Sequence, residues 1–415
     1  MLEAISLEAS HQEVKPVRIN GPFAYIILYA ALYAAFGVSS PFWPQFFESR
    51  ALSSQQIGLI LAAALCMRLV AGPLVGLLAD SLGSLRLVLA SCAVVAAGTA
   101  ASFSRADSFW LFLLIALVQA AALAPTTSIA DALSVNSAKP EIAGRPFEYG
   151  WIRGSASAAF ILGTLTAGQL ISPTDLQPII WLNVALLMIS GGATALVPAV
   201  TTQSATADSA TRILVRAREL LGLPRFRVVI LVSALVYGSH AMHDAFAVIR
   251  WSSAGIGTSV ISLLWSEAVA AEVIVFFLVG PALLARFGAR GAAALAAAAG
   301  IVRWSISGLT TSVLLLSIVQ PLHGLTFSLL HLACMRMMGA LVPASLSATA
   351  QALYAFGAGS VTAALTLLSG FLYGRYGGGA FIPMAVLCGV ALPFAWFGFA
   401  DRGHQCVVVA DEERG

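Results

Sequence analysis

The sequence predicts an all-α integral membrane protein with twelve transmembrane helices in two six-helix halves. Of its 415 residues, 59% are hydrophobic and only 10% are charged, whereas a soluble domain carries roughly 25% charged residues. A helix needs about 20 predominantly apolar residues to span a bilayer. On that measure the expected spans are residues 22–44, 56–79, 86–103, 108–133, 149–172, 178–199, 226–249, 258–284, 289–310, 312–337, 345–373 and 380–400.

One long hydrophilic segment interrupts the interior of the chain and separates the two halves. Residues 200–225 are polar and then basic, which indicates a linker with a short amphipathic helix around 213–221. The predicted domains are therefore an N-terminal half at 1–199, the linker at 200–225, and a C-terminal half with a short tail at 226–415.

The loop charges predict the orientation in the membrane. If both termini are cytoplasmic, most lysines and arginines fall in cytoplasmic loops, and the outer loops hold only Arg50, Arg105, Arg250 and Arg375. Cytoplasmic loops carry this excess of positive charge in membrane proteins generally. We therefore expect a multi-pass protein of a bacterial-type inner membrane with both termini in the cytoplasm.

Several classes of function are disfavoured by the sequence. The net charge of +3 is explained by membrane topology and gives no reason to expect nucleic acid binding. The five cysteines form no CxxC pair, and no hydrolase, HExxH or nucleotide-loop pattern occurs. We expect neither an enzyme nor a sensor, no cofactor and no metal, but a monomer whose partners are a small solute, protons and the lipid bilayer.

Three ionisable residues lie deep inside apolar stretches of the C-terminal half. At 1.5 Å per residue, Glu272 lies about 21 Å into its helix, and Arg303 and His323 enter from opposite sides to similar depth. Such residues cost several kcal/mol in hydrocarbon and usually mark a transport pathway or a proton relay. The three residues predict a proton-coupling site; the alternative is a static salt bridge that joins three helices.

His240, His243 and Asp244 follow i, i+3, i+4 spacing in the seventh span and so share a helical face. Contact with substrate or protons is the expected role. A metal site would need further ligands, which the sequence does not obviously supply. Because the adjacent side chains of His243 and Asp244 should point about 100° apart, these two residues are not expected to act as a pair.

Other polar residues are candidates for a substrate cavity. Tyr25, Tyr29 and Tyr33 form a stripe in the first span; the alternative is helix packing with the hydroxyls bonded to backbone. Arg68 in the second span would attract an anionic solute, unless it pairs with an acid on another helix. Interhelical hydrogen bonds are as plausible as a cavity position for Gln119, Asn183, Gln351 and Tyr354.

The segment GLLADSLG at residues 76–83 follows the second span. Gly76 and Gly83 would let helix ends approach closely, and Asp80 could cap a neighbouring helix. With Asp131 and Arg153, which should meet near the inner ends of two helices, these residues predict a cytoplasmic gate. The alternative is an ordinary tight turn, where glycine and aspartate are common.

Longer segments resemble the 3-phenylpropionic acid transporter subgroup of the major facilitator superfamily, which is related to proton symporters of the lactose permease type. The resemblance lies in PFWP at 41–44, ADAL at 130–133, YGWIRGS at 149–155, LW at 264–265, AEV at 271–273, VRW at 302–304, QPLHGLTF at 320–327 and HLACMR at 331–336. The G-x-x-x-D-x-x-G skeleton at 76–83 also matches that superfamily.

This resemblance implies proton-coupled uptake of a small organic solute. Glu272, Arg303 and His323 match the acid, arginine and histidine that such symporters use for coupling. The chain departs from the subgroup at His243 and Asp244, where aromatic residues are expected. We therefore expect a symporter for a small solute, with aromatic or other carboxylic acids as first candidates. The alternatives are proton-coupled efflux of drugs or metabolites, and uptake of a sugar or nucleoside.

The topology is directly testable with reporter fusions. A reporter fused after Gly415 should be active only if it is of a type that matures inside the cell, because that end should be cytoplasmic. A reporter in the loop at Asp175 should be active only if it matures outside. The reverse pattern would contradict the orientation.

Overall fold

The computed structural model describes residues 21–136, 141–142, 145–146, 149–197 and 210–400. Side chains are not described at residues 21, 22, 80, 135, 136, 141, 142, 145, 146, 149–151 and 210–213. Three parts of the predicted domains therefore lie outside the described residues: the N-terminal segment 1–20, the linker residues 200–209 and the C-terminal tail 401–415.

The first half of the chain is built almost entirely of helices. They are α1 (Gly21–Ser39), α2 (Trp43–Ser49), α3 (Ser54–Leu82), α4 (Leu85–Ser102), α5 (Phe109–Leu123), α6 (Thr126–Asn136), α7 (Tyr149–Leu170) and α8 (Gln177–Ala193). Between α6 and α7, the two-residue strands β1 (Glu141–Ile142) and β2 (Arg145–Pro146) pair antiparallel.

The second half follows the same plan. It contains α9 (Ala210–Gly222), α10 (Pro224–Gly238), α11 (Ala241–Ser253), α12 (Thr258–Ile274), α13 (Gly280–Leu309), α14 (Val313–Val319), α15 (Leu322–Gly324), α16 (Leu330–Leu341), α17 (Ser347–Tyr376) and α18 (Ile382–Gly398). Helix α9 covers the short helix that we predicted in the linker, and it packs against α10 and α17.

Within the described ranges these helices make twelve passes, as predicted. Seven helical runs are long and apolar enough to cross a membrane, or eight if the bent pair α1 and α2 is one span. Two of these runs, of 52 and 55 residues, are each long enough for two crossings. The first of them turns at Gly288, whose φ is +66°, and the second at the 3₁₀ turn Gly377–Phe381. Helices α7 and α8 complete the set.

The first pass extends beyond its predicted end at residue 44. Helix α1 stops at Ser39, and α2 continues to Ser49 at an angle of 41°. Pro44 lies in the first turn of α2, where a missing N–H removes no helical hydrogen bond. Pro44 therefore does not end this pass.

The two halves close on each other at one end of the molecule. The connection from α3 to α4 lies at one end of the molecule, which we call the basic end. The connections from α2 to α3 and from α11 to α12 lie at the other end, where the halves touch, and we call it the opposite end. At the opposite end Gln45 Nε2 donates to Ser252 Oγ at 2.8 Å, and Thr258 Oγ1 donates to the Ile171 carbonyl at 3.1 Å. Helices α3 and α17 also touch there, so closely that a Cβ at Gly58 would lie 2.9 Å from the Cα of Gly370.

Substitution Gly58→Leu should therefore hold the opposite end open. A leucine side chain cannot occupy the space that the Gly370 backbone fills, so α3 and α17 must separate. The distance between spin labels at Asp107 and Tyr376, measured by electron paramagnetic resonance after replacement of the native cysteines, should increase. Gly98→Leu is the matched control, because a Cβ there meets no atom within 4 Å. Unchanged distances in Gly58→Leu would contradict the assigned contact.

Candidate functional site

Arg303 lies at the centre of a buried polar network in the C-terminal half. Its side chain on α13 is fully buried and lies over the ring of Trp304, with 4.4 Å between Cζ and the ring centroid. Nη1 lies 3.0 Å from His323 Nδ1, and Nη2 donates to Gln320 Oε1 at 3.1 Å. Because a guanidinium has only donors, Arg303 determines the direction of both hydrogen bonds.

The first branch of the network leads from Arg303 to Glu272. His323 Nδ1 accepts from Arg303, so a neutral imidazole carries its hydrogen on Nε2. That nitrogen faces Glu272 Oε2 at 3.4 Å, so its N–H points toward the carboxylate. A doubly protonated His323 would have no acceptor for Arg303, so protonation of this ring requires the Arg303 contact to break.

The second branch leads from Arg303 to Asp244. Since Gln320 Oε1 accepts from Arg303, the Gln320 amide nitrogen points to His243 Nε2, 3.2 Å away, and donates to it. His243 Nδ1 must then carry the hydrogen and donate to Asp244 Oδ1 at 3.2 Å. Each branch therefore runs from one arginine, through a histidine, to a carboxylate.

The chain geometry explains why these groups meet. Gly324 lies against α12 so closely that a Cβ there would be 2.5 Å from the Ala271 carbonyl oxygen, and this contact places His323 beside Glu272. Directly after these residues, Val275–Val279 and Leu325–Leu329 form π-helical turns, which occur frequently at functional sites. Two broken helices thus present one histidine and one carboxylate to each other.

The histidines of the seventh pass lie at the break between α10 and α11. His240 packs its ring against Trp304 and His323, with centroid distances of 5.2 and 5.0 Å. His243 stacks on Trp265 at 4.8 Å. These aromatic walls leave the imidazoles little room, which keeps His243 in reach of both of its hydrogen-bond partners.

The charges of the network are unbalanced when both carboxylates are ionised. Arg303 contributes one positive charge, and Glu272 and Asp244 contribute two negative charges, while each histidine is neutral in the hydrogen-bond pattern above. One bound proton makes the network neutral. Because burial penalises net charge, the arrangement is suited chemically to taking up and releasing a single proton.

A cavity of about 250 Å³ lies between the two halves. On one side it is lined by Arg68 and Gln119 together with aromatic rings, and on the other by Asp244, Thr362 and Thr366. The Asp244 side chain is 58% exposed, so the carboxylate that ends the second branch also faces the cavity. Arg68 is exposed there too, with no hydrogen bond or ion pair to any described residue.

None of the three tyrosines of the stripe lines this cavity. Tyr25 is buried and donates to the Leu133 carbonyl at 2.8 Å, and Tyr29 donates to Asp131 Oδ1 at 2.5 Å. Tyr33 stacks on Tyr29 and accepts from Arg153 Nη1 at 2.6 Å. The interpretation as helix packing therefore describes Tyr25 and Tyr29, because their hydroxyls are satisfied inside the N-terminal half.

Other predicted cavity residues also contribute to packing. Tyr354 donates to the Tyr237 hydroxyl at 3.1 Å, Asn183 donates to the Ala35 carbonyl at 2.8 Å, and His240 is buried against Trp304. The expectation that His243 and Asp244 diverge is wrong, because Nδ1 is the ring nitrogen nearer the backbone and reaches the adjacent carboxylate.

The predicted cytoplasmic gate is only partly assembled. Asp131 and Arg153 come within 3.7 Å, but α6 and α7 belong to the same half, so this pair joins helices within one half. The side chain of Asp80 lies outside the described residues. A Cβ at Gly76 would meet nothing within 4 Å, and Gly83 ends α3 with a φ of +62°, which the tight-turn alternative explains.

Gln320 links Arg303 to His243 and was not among the predicted site residues. The sequence signal is an amide three residues before His323, directly ahead of Pro321, in an otherwise apolar run, and the structure shows that this amide is buried. Among the described residues, no group of three or more histidine, cysteine or carboxylate side chains could hold a metal ion.

Comparisons with known proteins agree with this architecture. The model of the MFS_1 like family matches residues 23–382. The "Probable 3-phenylpropionic acid transporter" of Escherichia coli (strain K12) is 32% identical over 377 residues, which cover 88% of this chain and 94% of that protein. The "Uncharacterized transporter YwbF" of Bacillus subtilis (strain 168) is 24% identical over 73% of this chain and 74% of its own length.

Solved structures show the same fold at low sequence identity. The nucleoside transporter NupG superposes with a TM-score of 0.78 at 17% identity, covering 92% of this chain and 98% of that one. A bacterial homologue of the human lysosomal transporter Spinster, in an inward-facing and unoccupied conformation, superposes with a TM-score of 0.71 at 14% identity, covering 93% and 97%. The fold is that of major facilitator transporters.

Removal of the Gln320 amide should destabilise the protein. In Gln320→Leu, Arg303 loses an acceptor and His243 loses a donor, and an unsatisfied buried group costs about 1–3 kcal/mol. Thermal unfolding in detergent should show a lower midpoint. Gln351→Leu is the matched control, because Gln351 is exposed on α17 and should change stability by no more than about 0.5 kcal/mol. Equal midpoints for the two variants would contradict the network.

Proposed function

The chain belongs to the MFS_1 like family, and on that premise we propose that it is a proton-coupled secondary transporter that imports a small organic solute by alternating access. The observation that carries this proposal is the network that joins Glu272 to the cavity carboxylate of Asp244 through Arg303, by hydrogen bonds and by the contact between His323 and Glu272. It needs no cofactor and catalyses no covalent reaction.

The orientation proposed from the loop charges assigns each end of the molecule to one side of the membrane. With the basic end in the cytoplasm, the opposite end faces outward, and the contacts between α3 and α17 close the cavity from outside. Both termini are then cytoplasmic, in a bacterial-type inner membrane. The protein works as a monomer in this proposal, because one chain supplies both halves of the cavity.

In this proposal, proton coupling depends on Arg303, which donates to both branches of the network. Ionised Glu272 lies 3.4 Å from His323 Nε2, and His323 accepts from Arg303 through Nδ1. A proton on Glu272 removes the negative charge that the network's positive charge compensates, so Arg303 is left to balance Asp244 alone. Protonation of Glu272 thereby changes how strongly the positive charge of Arg303 stabilises the negative charge of Asp244. Proton binding and solute binding are linked, and this linkage is reciprocal.

The cavity supports a small, largely apolar acid as the solute. Arg68 offers a planar guanidinium suited to a carboxylate, and Phe36, Trp43 and Phe47 provide aromatic walls. The volume of about 250 Å³ is below the range of roughly 300–1,000 Å³ that is usual for drug-sized ligands. The name of the Escherichia coli relative points to the same class of compound.

Glu272→Gln tests the coupling step. Glutamine imitates the protonated acid permanently, so the variant should still bind solute and exchange it across the membrane but should not accumulate it against a gradient. In proteoliposomes with 3-phenylpropionate, solute entry should acidify the lumen for the wild type and not for Glu272→Gln. Accumulation driven by an imposed pH gradient should fall to the equilibrium level.

Glu267→Gln is the matched control in the same helix. Glu267 accepts only from Ser317 among the described residues, at 3.3 Å, and lies outside the network, so its loss should leave coupling intact. Proton-driven accumulation by Glu272→Gln would contradict the proposal. If the wild type accumulates solute only when the imposed pH gradient has the opposite direction, the result would indicate efflux in exchange for protons.

A further inference from the structure

We propose that the solute is zwitterionic, with a carboxylate bound by Arg68 and an ammonium group bound by Asp244. This inference rests on the proposed transport function and narrows the class of substrate. It starts from the two ionisable side chains that line the cavity, which carry opposite charges and come from opposite halves.

Neither charge has an oppositely charged side chain within 4 Å among the described residues; Arg303 is linked to Asp244 only through Gln320 and His243. Arg68 has no hydrogen bond or ion pair with any described residue, and no contact within 4 Å joins it to Asp244 across the cavity. The described partner of Asp244 is His243, whose other nitrogen accepts from Gln320, so the imidazole is neutral. The carboxylate of Asp244 therefore keeps its charge and most of its acceptor capacity for a group in the cavity.

A simple acid would satisfy only one side of this cavity. Its carboxylate would pair with Arg68 but would share about 250 Å³ with the carboxylate of Asp244. Two like charges inside a cavity of this size repel by on the order of 1 kcal/mol or more when water is partly excluded. A solute with an ammonium group replaces that repulsion by attraction.

The cavity wall suits the rest of such a molecule. Phe36, Trp43, Phe47 and Phe103 line the space next to Arg68, and aromatic faces also favour a nearby cation. Thr362 and Thr366 add hydroxyl groups on the side of Asp244. An amino acid with an aromatic or aliphatic side chain has this combination of two charges and an apolar body.

The positions of the two charges also bear on the transport cycle. Arg68 belongs to α3 in the N-terminal half and Asp244 to α11 in the C-terminal half, so a zwitterion would contact both halves at once. Its ammonium group would reach the carboxylate that ends the network from Arg303. A single solute could then draw the halves together and change the network that holds the proton.

Three probes of nearly equal size separate the alternatives. Phenylalanine carries both charges, 3-phenylpropionate only the negative one, and 2-phenylethylamine only the positive one. Binding to the purified protein should be tightest for phenylalanine, by roughly tenfold over either analogue, since tenfold corresponds to about 1.4 kcal/mol. Isothermal titration calorimetry measures all three affinities.

Variants identify the residue responsible for each preference. Asp244→Asn should weaken phenylalanine binding by roughly tenfold and tighten binding of 3-phenylpropionate, because the repelling charge is gone. Asp244→Glu keeps the charge and should retain the preference for phenylalanine, which separates recognition from misfolding. Arg68→Gln should weaken phenylalanine and 3-phenylpropionate but spare 2-phenylethylamine.

The proposal is overturned if 3-phenylpropionate binds as tightly as phenylalanine, if Asp244→Asn weakens both to the same extent, or if none of the three probes binds. The proposed transport function is tested separately, by measuring acidification of the proteoliposome lumen during uptake. A protein that couples 3-phenylpropionate entry to acidification but does not prefer phenylalanine would keep the function and lose the zwitterion.

Discussion

The buried guanidinium of Arg303 is the group on which the rest of the C-terminal half depends. A charge in a fully buried position is costly unless its donors are satisfied and a counter-charge lies nearby. Arg303 meets these requirements in part: Nη1 and Nη2 have the acceptors His323 Nδ1 and Gln320 Oε1, Nε has no partner among the described residues, and carboxylates end both branches of the network. The surrounding helices are built to bring those acceptors to it: Gly324 allows α15 to lie against α12, and the break at Ser239 and His240 turns the seventh pass beside Trp304.

Hydrogen-bond direction gives this network its functional character. Arginine can only donate, so each histidine must accept on the side facing Arg303 and donate on the far side. The tautomers of His243 and His323 therefore follow from their common neighbour, and both point an N–H at a carboxylate. An added proton on His323 would face Arg303 directly, and one on His243 would face the amide nitrogen of Gln320. The network thus has one preferred proton distribution, and any departure from it requires a side chain to move, which is the property that a switching device needs.

Much of the fold and part of the site could be predicted from the sequence, for identifiable reasons. Apolar length alone predicts the twelve passes, because a bilayer imposes the same requirement on each of them. Glu272, Arg303 and His323 were predictable because ionisable groups rarely occur at that depth. Gln320 was not singled out, since a neutral amide in an apolar run is a weak signal. The packing of Tyr25 and Tyr29 depends on α6 and α7, which no local pattern in α1 reveals. The pairing of adjacent His243 and Asp244 depends on the rotamer of one ring.

The departure of the chain from its resembled subgroup at His243 and Asp244 is explained by the same network. A histidine alone at 243 would leave a nitrogen without an acceptor, and an aspartate alone at 244 would place a carboxylate in the cavity with no link to Arg303. Together they extend the buried network by one carboxylate, to the wall of the cavity. A proton site that depends on Glu272 alone can sense only protons. In the proposed symporter, a proton site connected through Arg303 to a cavity carboxylate would also sense what occupies the cavity, which is the physical requirement for coupling one flux to another.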